Sequence, residues 1–182
     1  MSISLVLLSG GLDSAVALAA ASPDVNSCCG LFFAYGQAAE NEEECAARAI
    51  ADYYAVPLKK IKLMGPSFES GEIRGRNAFL VHGALLVAPP GPSTIILGIH
   101  SGTAYVDCTP DFVDLMQRSL ALHTRGEVTL AAPFLTNSKA DIYRLARELR
   151  VPIELTYSCE CGGDPCGTCM SCKDRGMLSA IA

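Results

Sequence analysis

At 182 residues, half of them hydrophobic and 18% charged, the chain suits one domain with a real core and is too apolar to be disordered. Fourteen Lys and Arg against nineteen Asp and Glu leave a formal net charge of −5. That excludes the global basic field of a nucleic-acid binder, so no nucleic acid is expected as a partner. The apolar start has no Lys or Arg before Arg48, which excludes a secretory signal, and the run 78–99 is broken by His82, Pro89, Pro90, Gly91 and Pro92, which excludes a membrane span; a cytoplasmic protein is expected.

In chain order, 3–8 is a short, wholly apolar run of the kind buried on both faces of a sheet. The turn SGGLDS (9–14) follows, then a helix rich in small residues. Residues 28–35 read as a second buried strand and 39–55 as a helix whose acidic first turn suits the positive end of its dipole. PLKKIKL supplies a third strand, with Leu58, Ile61 and Leu63 offered to the core. A glycine-punctuated loop leads to an apolar helix over 78–88, which Pro89 and Pro90 end. STIILGI (93–99) is a fourth strand, and Thr109-Pro110 caps and opens another helix. VTLAAP (128–133) is the last strand. Ser138, with Asp141 three residues on, caps a helix whose stripe is Ile142, Leu145, Ala146 and Leu149. This alternation predicts an α/β fold with a doubly wound parallel sheet, whose ligand sits at the carboxyl ends of the strands.

The turn at the end of the first strand is therefore the candidate site. Gly10 and Gly11 let the backbone bring its N–H groups against an anion, Ser9 and Ser14 add hydroxyls, and the next helix adds its dipole. Asp13 repels phosphate, so its role is to hold Mg²⁺ or to stabilise the helix start. The pattern lacks the lysine of a Walker A loop. Five of the nine cysteines crowd into 159–172. Cys159, Cys166, Cys169 and Cys172 are the preferred ligands of a closed structural Zn²⁺ site, with Cys161 competing for the first position and an iron–sulfur cluster as the other use of such thiols.

SGGLDS resembles the phosphate loop of the PP-loop ATP pyrophosphatases. Together with YGQ (35–37), GRN (75–77), Asp107-Cys108, SKADI (138–142) and the terminal cysteines, in that order, it resembles the 7-cyano-7-deazaguanine synthase (QueC) family over nearly the whole chain. The resemblance implies a Rossmann-like ATP-binding unit over 1–157 with a zinc-binding segment over 158–182. It implies an ATP-dependent C–N ligase that adenylates 7-carboxy-7-deazaguanine and captures the product with ammonia, giving the amide and then the nitrile. By match, Ser9, Gly10, Gly11, Leu12, Asp13 and Ser14 bind ATP with Mg²⁺, Arg76 and Asn77 lie at the nucleotide or the substrate, and Asp13 and Lys139 act in catalysis, with Lys139 facing phosphate. Tyr35, Gln37, His100 and Asp107 face the substrate. Arg76 and Lys139 are equally readable as surface cations, Asp107 as a turn residue, and His100 as a core histidine. The family pairs into homodimers, so a homodimer is expected.

Several family features are missing here. Alanines follow YGQ where the family has basic residues, Arg74 stands in place of a proline, and the stretches before GRN and Asp107-Cys108 are short. Those losses fall around the acceptor end of the site. They suggest a second outcome, in which an amine on a partner protein captures the activated deazaguanine, as relatives in anti-phage operons make plausible.

Overall fold

The structure is a computed structural model that describes residues 2–21, 25–65, 67–69, 72–100, 102–103 and 105–179. Parts of three stretches read from the sequence lie outside the described residues: 66, 70 and 71, then 101 and 104, and 180–182 at the end of the 158–182 segment. The described elements are β1 (Ile3–Leu7), α1 (Leu12–Ala21), β2 (Cys28–Ala34), α2 (Glu40–Tyr53), β3 (Leu58–Lys62), α3 (Arg76–Val87), β4 (Ser93–Ile96), α4 (Pro110–Thr124), β5 (Val128–Ala131), α5 (Lys139–Glu148) and α6 (Met170–Ser179).

All five strands are parallel, in the order β3-β2-β1-β4-β5, with Leu5 of β1 lying between Cys29 of β2 and Ile95 of β4. Alternating side chains divide the core between the faces. Val6 and Leu8 pack with Val16, Phe32, Ile50 and Ile142 beneath α1, α2 and α5. Leu5 and Leu7 pack with Phe33, Val81, Ile95 and Leu120 beneath α3 and α4. Gly83 lets α3 approach the sheet, since a Cβ there would stand 2.6 Å from the Phe33 ring.

The chain winds outward from β1 through β2 to β3, then returns to lay β4 and β5 on the other side. The winding direction reverses at β1/β4, and the crevice at their carboxyl ends is where such sheets take ligands.

Two expectations change in detail. Leu63 is 42% exposed, and Leu58 and Ile61 are only partly buried, because β3 is an edge strand whose Lys59, Lys60 and Lys62 face solvent. α3 starts at Arg76 rather than 78, with Gly75 as its cap at φ +74°. Arg76 and Asn77 therefore lie in its first turn.

Candidate active site

Residues 9–14 pass from the end of β1 into α1 as a turn closed on itself. The Ser9 N–H donates to Ser14 Oγ at 3.2 Å, and Ser14 Oγ donates to the Gly11 carbonyl at 2.8 Å. Gly10 has φ +84°, and a Cβ there would lie 2.5 Å from the Glu43 carbonyl oxygen; only glycine fits. Gly98, which the sequence reading passed over, has the same function after β4. A Cβ on it would stand 2.9 Å from the Asp13 carbonyl oxygen, so the strand's exit runs tightly under the start of α1.

Asp13 and Lys139 meet although 126 residues separate them. Lys139 Nζ donates to Asp13 Oδ2 at 2.6 Å and to Oδ1 at 2.8 Å. Lys139 is the first residue of α5 because Ser138 caps that helix in a reciprocal capping box with Asp141. Lys139 is thus not a solvated surface lysine. His100, 8% exposed, stands with Nε2 4.0 Å from Asp13 Oδ2. The Gly102 N–H donates to its Nδ1 at 3.2 Å, so the neutral ring carries its proton on Nε2, facing Asp13. Burial lowers the imidazole's pKa, against the pull of Asp13 and with the push of Lys139.

The opposite wall is built from α3 and the turn before α4. Asn77, 2% exposed, donates through Nδ2 to the Asp107 carbonyl at 3.2 Å, and its N–H reaches Asp107 Oδ2 at 3.4 Å. Asn77 thus braces Asp107. Gln37 is likewise bonded internally: Nε2 donates to the Phe33 carbonyl and to Glu43 Oε2, both at 3.0 Å, and Oε1 accepts the Tyr35 N–H at 2.9 Å. Burial raises the Tyr35 phenol's pKa while the Arg76 guanidinium draws it down.

One cavity of about 340 Å³ is bordered by Ser9, Gly11, Asp13 and Ser14 of the turn, by Lys139 and His100, and by Tyr35, Gln37, Arg76, Asn77 and Asp107. Its remaining wall comes from 156–160 and α6, including Glu160, Asp174 and Arg175. Arg175 ties α6 down by donating to the carbonyls of Thr156, at 2.8 Å, and Ile153, at 3.0 Å. The Tyr157 N–H donates to the Gly10 carbonyl at 2.9 Å, joining this wall to the phosphate loop. No short motif announces Arg175, Tyr157 or Glu43, whose positions depend on tertiary folding.

The Sγ atoms of Cys159, Cys166, Cys169 and Cys172 all lie within 4.8 Å of one another. A tetrahedral zinc thiolate site needs sulfurs about 3.8 Å apart, so small adjustments would close the set. The N–H groups of Cys166, Cys169 and Cys172 each point at a preceding ligand sulfur, at 3.3–3.4 Å. The Thr168 hydroxyl and the N–H groups of Cys169 and Thr168 push the Cys166 thiol down to about 5, whereas burial pushes Cys172 up to about 12. A cation's charge would complete the ionisation. Cys161 Sγ lies 3.9 Å from Cys166 Sγ, and Cys161 stands outside the four. These residues could hold a metal ion, and their chemistry fits zinc. Among the described residues no helix is long and apolar enough to cross a membrane.

The pattern described as "Queuosine biosynthesis protein QueC" matches residues 3–70 and 59–179. This chain belongs to the QueC family. The two matched pieces overlap over residues 59–70, across most of β3 and the start of the connection after it. Curated relatives named 7-cyano-7-deazaguanine synthase are 34% identical: one from Synechococcus sp. covers 96% of this chain and 92% of its own. Another from Synechococcus elongatus covers 99% and 92%, and one from Methanoculleus marisnigri covers 93% and 90%. With its family, the chain is an ATP-dependent ligase. A solved NMN synthetase from Francisella tularensis overlaps 85% of this chain and 64% of that one, with 15% identity and a TM-score of 0.40.

Proposed function

We propose that this QueC-family chain converts 7-carboxy-7-deazaguanine to 7-cyano-7-deazaguanine by two ATP-dependent activations. The observation that carries the reading is the single cavity in which the phosphate loop and the Asp13–Lys139 pair face Arg76 and Asp107. A carboxylate held there attacks the α-phosphate of ATP. The new O–P bond forms as pyrophosphate leaves toward the N–H groups of residues 11 and 12 and the hydroxyls of Ser9 and Ser14. Ammonia then attacks the acyl carbon, AMP departs with the C–O bonding pair, and the amide is released or activated again to lose its oxygen as the nitrile.

In this reading Asp13 is the group that would hold Mg²⁺, which supplies positive charge beside the phosphates when bound. Lys139 then exchanges Asp13 for phosphate oxygen. The buried His100 Nε2–H donates to the same developing charge. Asp107, braced by Asn77, accepts the ring's N–H groups, and Arg76 takes the substrate carboxylate. Tyr35 borders the ring, and Gln37 keeps that border in place. The described part of the 158–182 segment is a zinc-organised piece docked on the ATP-binding unit. The docking rests on the Tyr157 hydroxyl donating to the Gly163 carbonyl, on the bonds of Arg175 and on the close approach of Gly162 to the Ala38 carbonyl. The reading includes a homodimer; Leu86, Leu115 and Leu122 of α3 and α4 are exposed apolar residues that pairing would cover.

The test is product analysis by mass spectrometry with zinc-replete enzyme, ATP, Mg²⁺ and the acid, with and without ammonium. Ammonium-dependent amide and nitrile are expected. Pyrophosphate release with neither product would keep the activation step and move the acceptor to an amine on a partner protein.

A further inference from the structure

Glu43 is a carboxylate of the cavity wall that the reading above leaves without a task. It sits in the first turn of α2, and its own carbonyl presses on Gly10 of the phosphate loop. Gln37 holds Oε2 at 3.0 Å, while no donor among the described residues meets Oε1. A side pocket of about 50 Å³ opens beside it, bounded also by Tyr35, Gln37, Glu69, Arg76 and Glu160. All of these except Glu69 also line the main cavity. The side pocket has room for a water-sized molecule and none for a bicyclic ring. Paired recognition of ring N–H groups would in any case call on both carboxylate oxygens, and Oε2 is occupied.

We infer that Glu43 takes a proton from ammonium entering through this side pocket, so that nitrogen reaches the main cavity as ammonia. This rests on the synthase reading. An N–H bond of ammonium breaks, the proton goes to Oε1, and the electron pair stays on nitrogen. That pair forms the C–N bond as AMP leaves with the C–O pair. The second surplus proton on nitrogen passes to water, as does the proton on Oε1 when the pocket refills.

The surroundings favour the transfer. Burial pushes the Glu43 carboxyl up to about 6, against the Gln37 hydrogen bond and the Arg76 charge, with Glu40 and Glu42 adding repulsion. It is therefore ionised at neutral pH, and the same dry setting makes an ammonium ion more acidic. The other groups facing it are Tyr35 just after β2, Glu69 from the loop after β3 and Glu160 from the cysteine segment.

Hydroxylamine separates this role from a structural one, because it is already unprotonated near neutrality and traps an acyl-adenylate as the hydroxamate. In zinc-replete Glu43→Gln, ammonium-dependent amide formation should fall roughly 10²-fold, while hydroxamate formation stays within about twofold of wild type. In the wild-type enzyme the ammonium reaction should decline as pH falls through about 6, because Glu43 then gains the proton it must accept. The hydroxylamine reaction should lack that limb until hydroxylamine itself protonates, which its free concentration corrects. Equal loss of both products, an unchanged ammonium rate, or a rise confined to the KM for the acid overturns the assignment. A wild-type enzyme that makes no hydroxamate overturns the synthase reading and this one with it.

Discussion

The floor and the far wall of the cavity are held by different physics. The floor, residues 9–14, is contiguous in sequence and closed by hydrogen bonds spanning two to five residues. The wall is gathered from distant places: Asn77 reaches Asp107 across 30 positions, and α6 is fixed through Arg175 and four cysteines. A short-range turn keeps its shape whenever β1 and α1 form. A wall of long-range bonds exists only once the whole chain has folded, and it can be lost while the floor survives.

Metal removal should break that contrast most sharply. Structural zinc sites of this type contribute on the order of 10 kcal/mol to the segments they order. Chelation should therefore release residues 157–179 to proteolysis and abolish activity while the sheet stays protected. Limited proteolysis with hydrogen exchange reads both parts at once, and simultaneous loss of the sheet would show that floor and wall are one cooperative unit.

Gly10→Ala attacks the floor instead. Its positive φ and the backbone oxygen 2.5 Å from the added Cβ together should cost on the order of 3 kcal/mol. Gly11→Ala meets nothing nearer than Ser9 Oγ at 3.5 Å and should leave the denaturation midpoint nearly unchanged while weakening ATP binding. Equal destabilisation by the two would remove the steric argument for the turn.

The same contrast explains what the sequence made legible. The phosphate loop, the capping box at Ser138 and the cysteine set are local patterns, and each forms as its spacing predicts, with Cys159 rather than Cys161 among the four. β3 as an edge was not legible, because alternation does not reveal whether a strand has two neighbours. Family resemblance named Lys139 and Asp13 separately, and their pairing was not legible because 126 positions separate them. Glu43, Gly98 and Arg175 were missed because their importance lies in what the fold brings against them. Gly98 did leave a trace, a glycine inside the apolar run 93–99.

A wall mutation of intermediate size is Asn77→Ala. It removes the Nδ2 donor from the Asp107 carbonyl in a site where Asn77 is 2% exposed. Leaving that carbonyl unpaired should cost about 2 kcal/mol and raise the KM for the acid more than that for ATP. A change in KM for ATP alone would place Asn77 on the nucleotide side and return Asp107 to a plain turn residue.

The smallest expected effect falls where local structure and catalysis meet. Ser138 caps α5 through the Asp141 N–H at 3.2 Å, and Lys139 is the first residue beyond the cap. Ser138→Ala should cost about 1 kcal/mol by denaturant titration. If the cap only stabilises the helix, activity well below the melting transition stays at the wild-type level. If it also aims Lys139 Nζ at the phosphate side of the cavity, kcat falls severalfold while stability changes no more than a lost cap explains. The second outcome is expected, because fraying of the first turn acts directly on the residue that reaches Asp13, at 2.6 Å.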